Sequence, residues 1–227
     1  MDNDDTRKRV LEAAGRVFAD RGYESATIRG ICDLAGANIA AVNYYFKDKK
    51  SLYLAACLEA QCAREGAVPM PEWAPGTPAA EHLRDFIHTF LRRLLEDERP
   101  AWHRQLMLRE LATPTEASGQ VVEDYIRPMA MVLKGILTEM LPAGVTEDEA
   151  FLVGFSIVAQ CLFYHLHEPI SSRLMGEEAY RQLTVDRLTD HIARFSLAAI
   201  GYARPLSKPA GEMVSGNTGD RGAATTH

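Results

Sequence analysis

The sequence predicts an all-α protein in which a small N-terminal three-helix unit precedes a larger helical body. Apolar residues recur at helical spacing along most of the chain, and no segment alternates apolar and polar residues as a half-buried strand does. Two of the predicted helices are short and are joined by the glycine-containing turn Ala35-Gly36-Ala37-Asn38. Two short helices joined by such a turn are typical of a helix-turn-helix unit.

Composition and charge are those of an ordinary globular chain. Of the 227 residues, 47% are hydrophobic and 25% are charged, a balance that excludes a disordered or collagen-like chain. The net charge of −6 argues against a wholly basic nucleic-acid coat. The charge is unevenly distributed, because residues 1–50 carry nine Lys/Arg against eight Asp/Glu and the remainder carries sixteen against twenty-three. Only the N-terminal part is therefore suited to approach a polyanion.

Targeting signals and cysteine usage both predict a soluble, cytoplasmic protein without a membrane partner. The start, MDNDDTRKRV, has no apolar stretch behind it and does not resemble a signal peptide. The longest apolar segment, 151–164, is shorter than the roughly 20 residues of a membrane span. The four cysteines are too scattered for a disulfide framework and are expected to be small core residues.

The N-terminal unit divides into three helices with recognisable end signals. Residues 5–21 carry apolar residues at helical spacing, and Gly22 follows where a helix C-cap belongs. Thr27 can cap a second helix that ends at Gly36, and Asn38 can cap a third. The residues of the third helix that are expected to face inward are Ile39, Val42 and Phe46.

A fourth helix, predicted over residues 48–65, should link this unit to the body. The segment that follows, VPMPEWAPGTP, contains four prolines and cannot be helical. The helices predicted for the body are 81–96, 101–111, 119–140, 146–165 and 177–202, the last with a break near Leu183. The tail is rich in Gly, Ser, Thr and Pro, and we expect it to be disordered. The predicted domains are the helix-turn-helix unit 1–50, the helical body 51–204 and the tail 205–227.

The helix-turn-helix unit offers the residue types that bind DNA. The second helix of such a unit enters the major groove, where Asn43 can read base edges and alanine methyl groups can contact thymine. Hydroxyl groups and Lys49 can contact phosphates. The alternative is a small three-helix bundle in which the turn only connects two helices and has no role in DNA binding. The predicted DNA contacts are Thr27, Arg29, Asn38, Ala40, Ala41, Asn43, Tyr44, Tyr45 and Lys49.

The run TIRGICDLAGANIAAVNYYFKDKKSLY resembles the DNA-binding segment of the TetR family of repressors. The matching positions are Thr27, Ala35-Gly36, Tyr45-Phe46, Lys49 and Leu52-Tyr53. The sequence departs from the pattern at Gly30, where an acid is usual, and at Asn43, where many members carry tyrosine. The motif Asn-Tyr-Tyr-Phe and the stretch LMLRELATPTEAS are similar to the CecR-like branch. The resemblance implies a homodimeric repressor that binds a palindromic operator in double-stranded DNA.

Two helices of the body are suited to contact a second copy of the chain. The helix within 150–165 is apolar around its whole circumference, so a second apolar surface must cover it. One alternative is a central helix buried within a single chain. We favour a four-helix seam between two copies, which the family resemblance also implies. The predicted interface residues are Phe151, Phe155, Leu162, Leu188, Ile192, Phe195 and Ala199.

A small-molecule effector is expected to bind in the body. A pocket needs apolar walls with a few polar groups, and a plain core is the alternative for each residue of this kind. The predicted pocket residues are Trp102, His103, Met107, Arg109, Tyr125 and Met129. Arg109 and Glu110 form either an internal ion pair or a ligand clamp.

No catalytic or metal motif is apparent, and no cofactor is expected. There is no Ser-His-Asp order and no Gly-rich phosphate loop. His165 and His167, two residues apart, diverge by about 200° on a helix and would not share a metal ion. Cys57 and Cys62 do not have the spacing of a zinc pair. The sequence thus predicts a regulator that is not an enzyme, and the alternative is a helical enzyme with an active site at a dimer interface.

Overall fold

The computed structural model describes residues 3–96, 100–116 and 118–203, and every regular element in these ranges is helical. The all-α prediction is therefore confirmed. The elements are α1 (Asn3–Ser25), α2 (Ile28–Ala35), α3 (Ile39–Phe46), α4 (Lys49–Ala67), α5 (Ala79–Leu95), α6 (Ala101–Ala112), α7 (Ser118–Val121), a π-helical segment (Val122–Ile126), α8 (Arg127–Met140), α9 (Glu147–Leu166), α10 (Glu168–Met175), α11 (Glu177–Arg181) and α12 (Val185–Ala199). The predicted tail, 205–227, lies outside the described residues.

Two predicted helices are interrupted in the structure. The helix predicted over 119–140 is divided by the π-helical segment, and that over 177–202 is divided between α11 and α12, near Leu183 as expected. The short helix α10 was not predicted; it begins directly after α9, with Pro169 in its first turn, where a missing N–H costs nothing. The proline-rich connector is non-helical, as its composition requires.

Helices α1 to α4 form the head of the molecule, and local capping defines its turns. Thr27 Oγ1 accepts a hydrogen bond from the Gly30 N–H at 3.1 Å, and Asn38 Oδ1 accepts one from the Ala41 N–H at 2.9 Å. The turn between α2 and α3 passes through Gly36 at φ 60°, a conformation that favours glycine. Both predicted caps are confirmed.

The core of the head also includes residues from α6. Trp102, Leu106 and Met107 belong to the same buried cluster as the side chains of α1 to α4. The contact is close at Gly15 of α1, where an added Cβ would lie 2.3 Å from the Trp102 ring. The packing unit around the helix-turn-helix therefore extends well beyond residue 50.

A second core lies between α5, α8, α9 and α12. Its fully buried members include Leu91 of α5, Leu137 of α8 and Ile192 of α12. Within the described ranges, α9 is the one helix that is long and apolar enough to cross a membrane, a test that the core helix of a soluble protein also passes. One side of α9 belongs to this core. Its other sides line a cavity or are exposed to solvent.

Candidate functional site

The outer face of α3 presents small, amide and aromatic side chains to solvent. Ala40 and Asn43 are exposed, and the Tyr44 side chain is 74% exposed. Val42 and Phe46 are buried in the head core, as predicted. This is the face that a helix-turn-helix unit turns toward a DNA groove.

Two details of α3 differ from the sequence interpretation. Ile39, expected to face inward, is 51% exposed, because Val42 and Phe46 already fill the side of this short helix that faces the core. Ala41, expected to face outward, is half-buried, and so is Tyr45, a predicted phosphate contact, which packs against the head core. Ile39 thus adds an apolar side chain to the outer face that the sequence analysis missed.

The groups expected to contact phosphates lie beside α3 and already have partners within the head. Thr27 and Asn38 are exposed and serve as caps, and Arg29 is exposed on the first turn of α2. Lys49 Nζ donates to the Glu24 carbonyl at 3.2 Å and lies 4.6 Å from the centre of the Tyr23 ring. An ammonium group has three donors, so Lys49 keeps donors for a phosphate.

The first turn of α4 is fixed by Asp48. Its carboxylate accepts a hydrogen bond from the Ser51 N–H at 2.7 Å, and that bond, with a second one from the Ser51 side chain, lowers the pKa of Asp48. The negative charge caps the start of α4, where backbone N–H groups are unpaired. Lys49 is thereby held at a defined place next to α3.

The body contains a cavity of about 200 Å³ between α4, α5, α6, α8 and α9. Its walls are mainly apolar, and Met107 and Met129 belong to them, as predicted. The polar side chains on its walls are Gln61, Arg104, Lys134 and His165. None of the lining residues that the structure describes is acidic. The cavity therefore combines apolar walls with groups that favour an anion.

The structure places the other predicted pocket residues elsewhere. Trp102 and His103 are buried and do not line the cavity; Trp102 packs against α1 instead. Arg109 donates from Nε to the Ala19 carbonyl at 3.1 Å and from Nη2 to the Asp20 carbonyl at 2.9 Å. The prediction was wrong for these residues because they lie on the side of α6 that contacts the head. The side chain of Tyr125 lies outside the described residues.

Glu110 does not pair with Arg109, and neither residue lines the cavity. Its buried carboxylate accepts a hydrogen bond from the Tyr53 hydroxyl at 2.6 Å and two from Thr115, both at 3.1 Å. Burial, followed by the bond to Glu110, raises the pKa of Tyr53, and burial raises the pKa of the Cys57 thiol to about 12. The cluster links α4 to α6 and keeps Cys57 protonated at neutral pH.

Helix α9 has a separate face for each of three surroundings. Phe151, Phe155 and Leu162, which the sequence analysis assigned to the seam, line the cavity. Phe155 is also 60% exposed, so it borders the outward face as well. Ala150, Ile157 and Cys161 are buried in the core. A third, outward face is exposed to solvent; it is formed by Leu152, Ala159, Phe163 and Leu166. The alternative of a central helix fully buried within one chain is therefore wrong.

The predicted seam residues of α12 also divide between two surroundings. Leu188 and Ile192 are buried in the core of the same chain, against α5, and cannot meet a second copy. Phe195 and Ala199 remain exposed. Periodicity placed all four on one side of the helix, but the boundary between core and surface runs through that side.

Metal-ligating side chains do not assemble in the described part of the chain. No group of three or more His, Cys, Asp or Glu residues there is placed to hold an ion. His165 lies on α9, whereas His167 follows the end of that helix and stacks on Phe163.

Comparison with known families decides the assignment. Residues 10–56, which run from within α1 to within α4, match the model of bacterial regulatory proteins of the tetR family. Residues 79–200, more than half of the chain, match the C-terminal domain of the HTH-type transcriptional dual regulator CecR. The chain belongs to the TetR family. The predicted resemblance to its CecR-like branch is confirmed as well.

Individual relatives agree with this assignment. The TetR-family chain is 36% identical over 95 residues to the HTH-type transcriptional repressor AcnR of Corynebacterium diphtheriae, covering 40% of this chain and 47% of that repressor. It thus spans about half the length of this relative. It is 28% identical to the CecR regulator of Shigella flexneri over 70% of this chain and 75% of that one. The structure of AibR with isovaleryl coenzyme A and operator DNA shares the fold, with a TM-score of 0.59, 17% identity and coverage of 87% and 99%.

Proposed function

We propose that this protein is a cytoplasmic, homodimeric transcriptional repressor that binds a palindromic operator and releases it when a small molecule fills the cavity. The observation that carries this proposal is the position of α6. One side of α6 lines the cavity, and the other is fastened to the helix-turn-helix unit. A single element therefore connects the cavity wall to the head that carries α3.

The connection runs through specific contacts of α6. Leu111 lies on the cavity wall, Trp102 packs against Gly15 of α1, and Arg109 binds the carbonyl groups of Ala19 and Asp20. A ligand that displaces α6 would therefore displace α1, and α3 with it. We expected α4 to make this connection, and the Tyr53–Glu110 hydrogen bond gives α4 a share in it. Binding of the effector would favour dimers in which the two α3 helices no longer lie one DNA turn, about 34–36 Å, apart.

The head supports DNA binding through the face of α3. Asn43 can pair with a base edge, and Ile39 and Ala40 can contact thymine methyl groups in the major groove. Thr27, Arg29, Tyr44 and Lys49 lie on or beside this face and can contact the phosphates. Asn38, Ala41 and Tyr45 would act by positioning the helix. The family relatives named as repressors support the same role.

The outward face of α9 supports the homodimer. It leaves Leu152 62% exposed and Phe163 46% exposed, and the exposed Phe195 and Ala199 of α12 continue the apolar surface. A two-fold axis beside this surface would pair each helix with its copy and place one α3 at each half of a palindrome. We retain Phe155, Phe195 and Ala199 as proposed interface residues, because all three are exposed. The outward-facing residues of α9 take the place of Phe151, Leu162, Leu188 and Ile192, which line the cavity or are buried in the core.

The cavity supports a small-molecule effector. Met107 and Met129 remain proposed contacts, whereas Trp102, His103 and Arg109 would act through the packing of α6 on the head. AibR, which shares the fold, was crystallised with both isovaleryl coenzyme A and operator DNA. No observation on the described residues favours the alternative of an enzyme with an interface active site.

Two substitutions test the proposed DNA contacts. Asn43→Ala should relax preference at one base pair in each half-site by about 1–3 kcal/mol, because a base contact is lost. Lys49→Ala should weaken binding to every DNA sequence and lower the salt slope by about one unit, because one phosphate contact is lost. Fluorescence anisotropy on operator variants over a salt series separates the two effects, with the exposed Arg181→Ala as control. Equal loss on all operator variants for Asn43→Ala would exclude its base-reading role.

A further inference from the structure

The cavity extends along one side of α9. Phe151, Phe155, Val158, Leu162 and His165 line it from one side of α9 and form a single helical stripe. At 1.5 Å per residue this stripe is about 21 Å long, whereas the cavity volume is only about 200 Å³. A compact cavity of about 150 Å³ is enough to hold benzene. A similar volume spread over such a length is a channel, which fits a linear chain better than a fused-ring compound.

At one end of the cavity the positive charge of Lys134 is paired. Helices α8 and α9 are antiparallel, because a short connection joins them. Lys134 of α8 and Phe151 of α9 consequently lie at the same end, and the Lys134 ammonium is 5.5 Å from the centre of the Phe151 ring. Lys134 also forms an ion pair with Glu147. Its charge is therefore already compensated.

Arg104 lies at the other end of the cavity. Helix α7 contacts α4 and leads through the π-helical segment into α8, so the beginning of α8 lies near α4. Gln61 of α4 and Arg104 of α6 line the cavity together with Ile126 and His165, which lie at this end of α8 and α9. Among the side chains that the structure describes, no carboxylate pairs with Arg104, and Arg104 is exposed.

We infer that the cavity binds an amphipathic organic anion, with a linear acyl chain along α9 and the anionic group beside Arg104 and His165. The apolar walls bury the chain, and the planar guanidinium group of Arg104 can bind a carboxylate or phosphate through two parallel hydrogen bonds. A free fatty carboxylate and an acyl thioester on a phosphorylated carrier share this chemistry. The inference rests on the proposed function only in taking this ligand as the effector.

Calorimetry on the full chain, without DNA, tests the ligand class. The probes are decanoate, decanoyl-coenzyme A and the uncharged 1-decanol. At least one of the two anions should bind about ten- to hundredfold more tightly than 1-decanol, the gain expected from a charge-assisted hydrogen bond. The tighter of the two anions identifies the source. If 1-decanol binds as tightly as both anions, or if none of the three binds, the inference is overturned.

Variants of the wall test the orientation of the ligand. Arg104→Gln should remove the preference for the anion and leave 1-decanol binding unchanged, whereas Arg173→Gln, an exposed arginine on α10 outside the cavity, should change neither. Val158→Phe narrows the middle of the channel and should shift preference from decanoate to hexanoate. An anion preference that survives Arg104→Gln would overturn the assignment of the anionic end.

Operator-binding titrations with the same three probes separate this inference from the proposed function. If the anion binds with the expected preference but operator affinity does not change, the ligand class stands and the effector role is wrong. If 1-decanol releases the operator as well as decanoate does, the effector role stands and the ligand class is wrong.

Discussion

Ile192→Glu should unfold the protein, whereas Phe163→Glu should leave a folded chain that is monomeric. Ile192 is fully buried against α5, and an unpaired carboxylate in such a place costs about 3–5 kcal/mol, a large part of the stability of a domain. Phe163 lies on the outward face of α9 and is 46% exposed, so a charge there costs little in the single chain. In the proposed dimer the same charge would be buried and unpaired.

Thermal unfolding and sedimentation velocity distinguish these outcomes. Thr138→Glu, an exposed position on α8 outside the outward face of α9, is the matched control and should change neither the melting temperature nor the sedimentation coefficient. A Phe163→Glu protein that sediments as a dimer would place the interface elsewhere. A stable Ile192→Glu protein would contradict the core position of α12.

Gly15→Ala should destabilise the protein by about 1–3 kcal/mol, the usual cost of overpacking a core. The added methyl group would lie 2.3 Å from carbon atoms of the Trp102 ring, so α1 and α6 must move apart. Since this contact joins head and body in the proposed mechanism, we also expect the operator response to ligand to weaken.

Gly135→Ala provides the control for the same chemical change. Gly135 lies within α8 and is exposed, and apart from its chain neighbours and the adjoining backbone of α8 no described atom lies within 4 Å of the place that an alanine Cβ would take there. Alanine should therefore stabilise the helix by about 0.5–1 kcal/mol. Chemical denaturation of both variants gives the two free energies. Equal effects of the two substitutions would show that the Gly15 contact is not tight.

Local features of the fold were predictable from the sequence, because they depend on neighbouring residues. Thr27 and Asn38 cap their helices through backbone groups three residues away, and the prolines of the connector exclude a helix whatever surrounds them. The helix-turn-helix unit was likewise identified from one contiguous stretch of sequence that begins at Thr27. Such signals need no knowledge of which helices pack together.

The partner of each helical face was not predictable in the same way. Periodicity shows which residues share a face, but Trp102 and Arg109 face the head, while Met107, also part of the head core, reaches the cavity. Arg104 and His165 resemble ordinary surface residues in the sequence, and only the packing of α6 and α9 brings them to one cavity.

The most direct test of the central claim is a titration of the protein with a fluorescent duplex from its own upstream region, compared with a scrambled duplex, over a salt series. We predict that the upstream duplex binds at least about 10³-fold more tightly and that both affinities fall steeply with salt, as for a protein that contacts several phosphates. Equal affinities for the two duplexes at every salt concentration would contradict an operator-binding role.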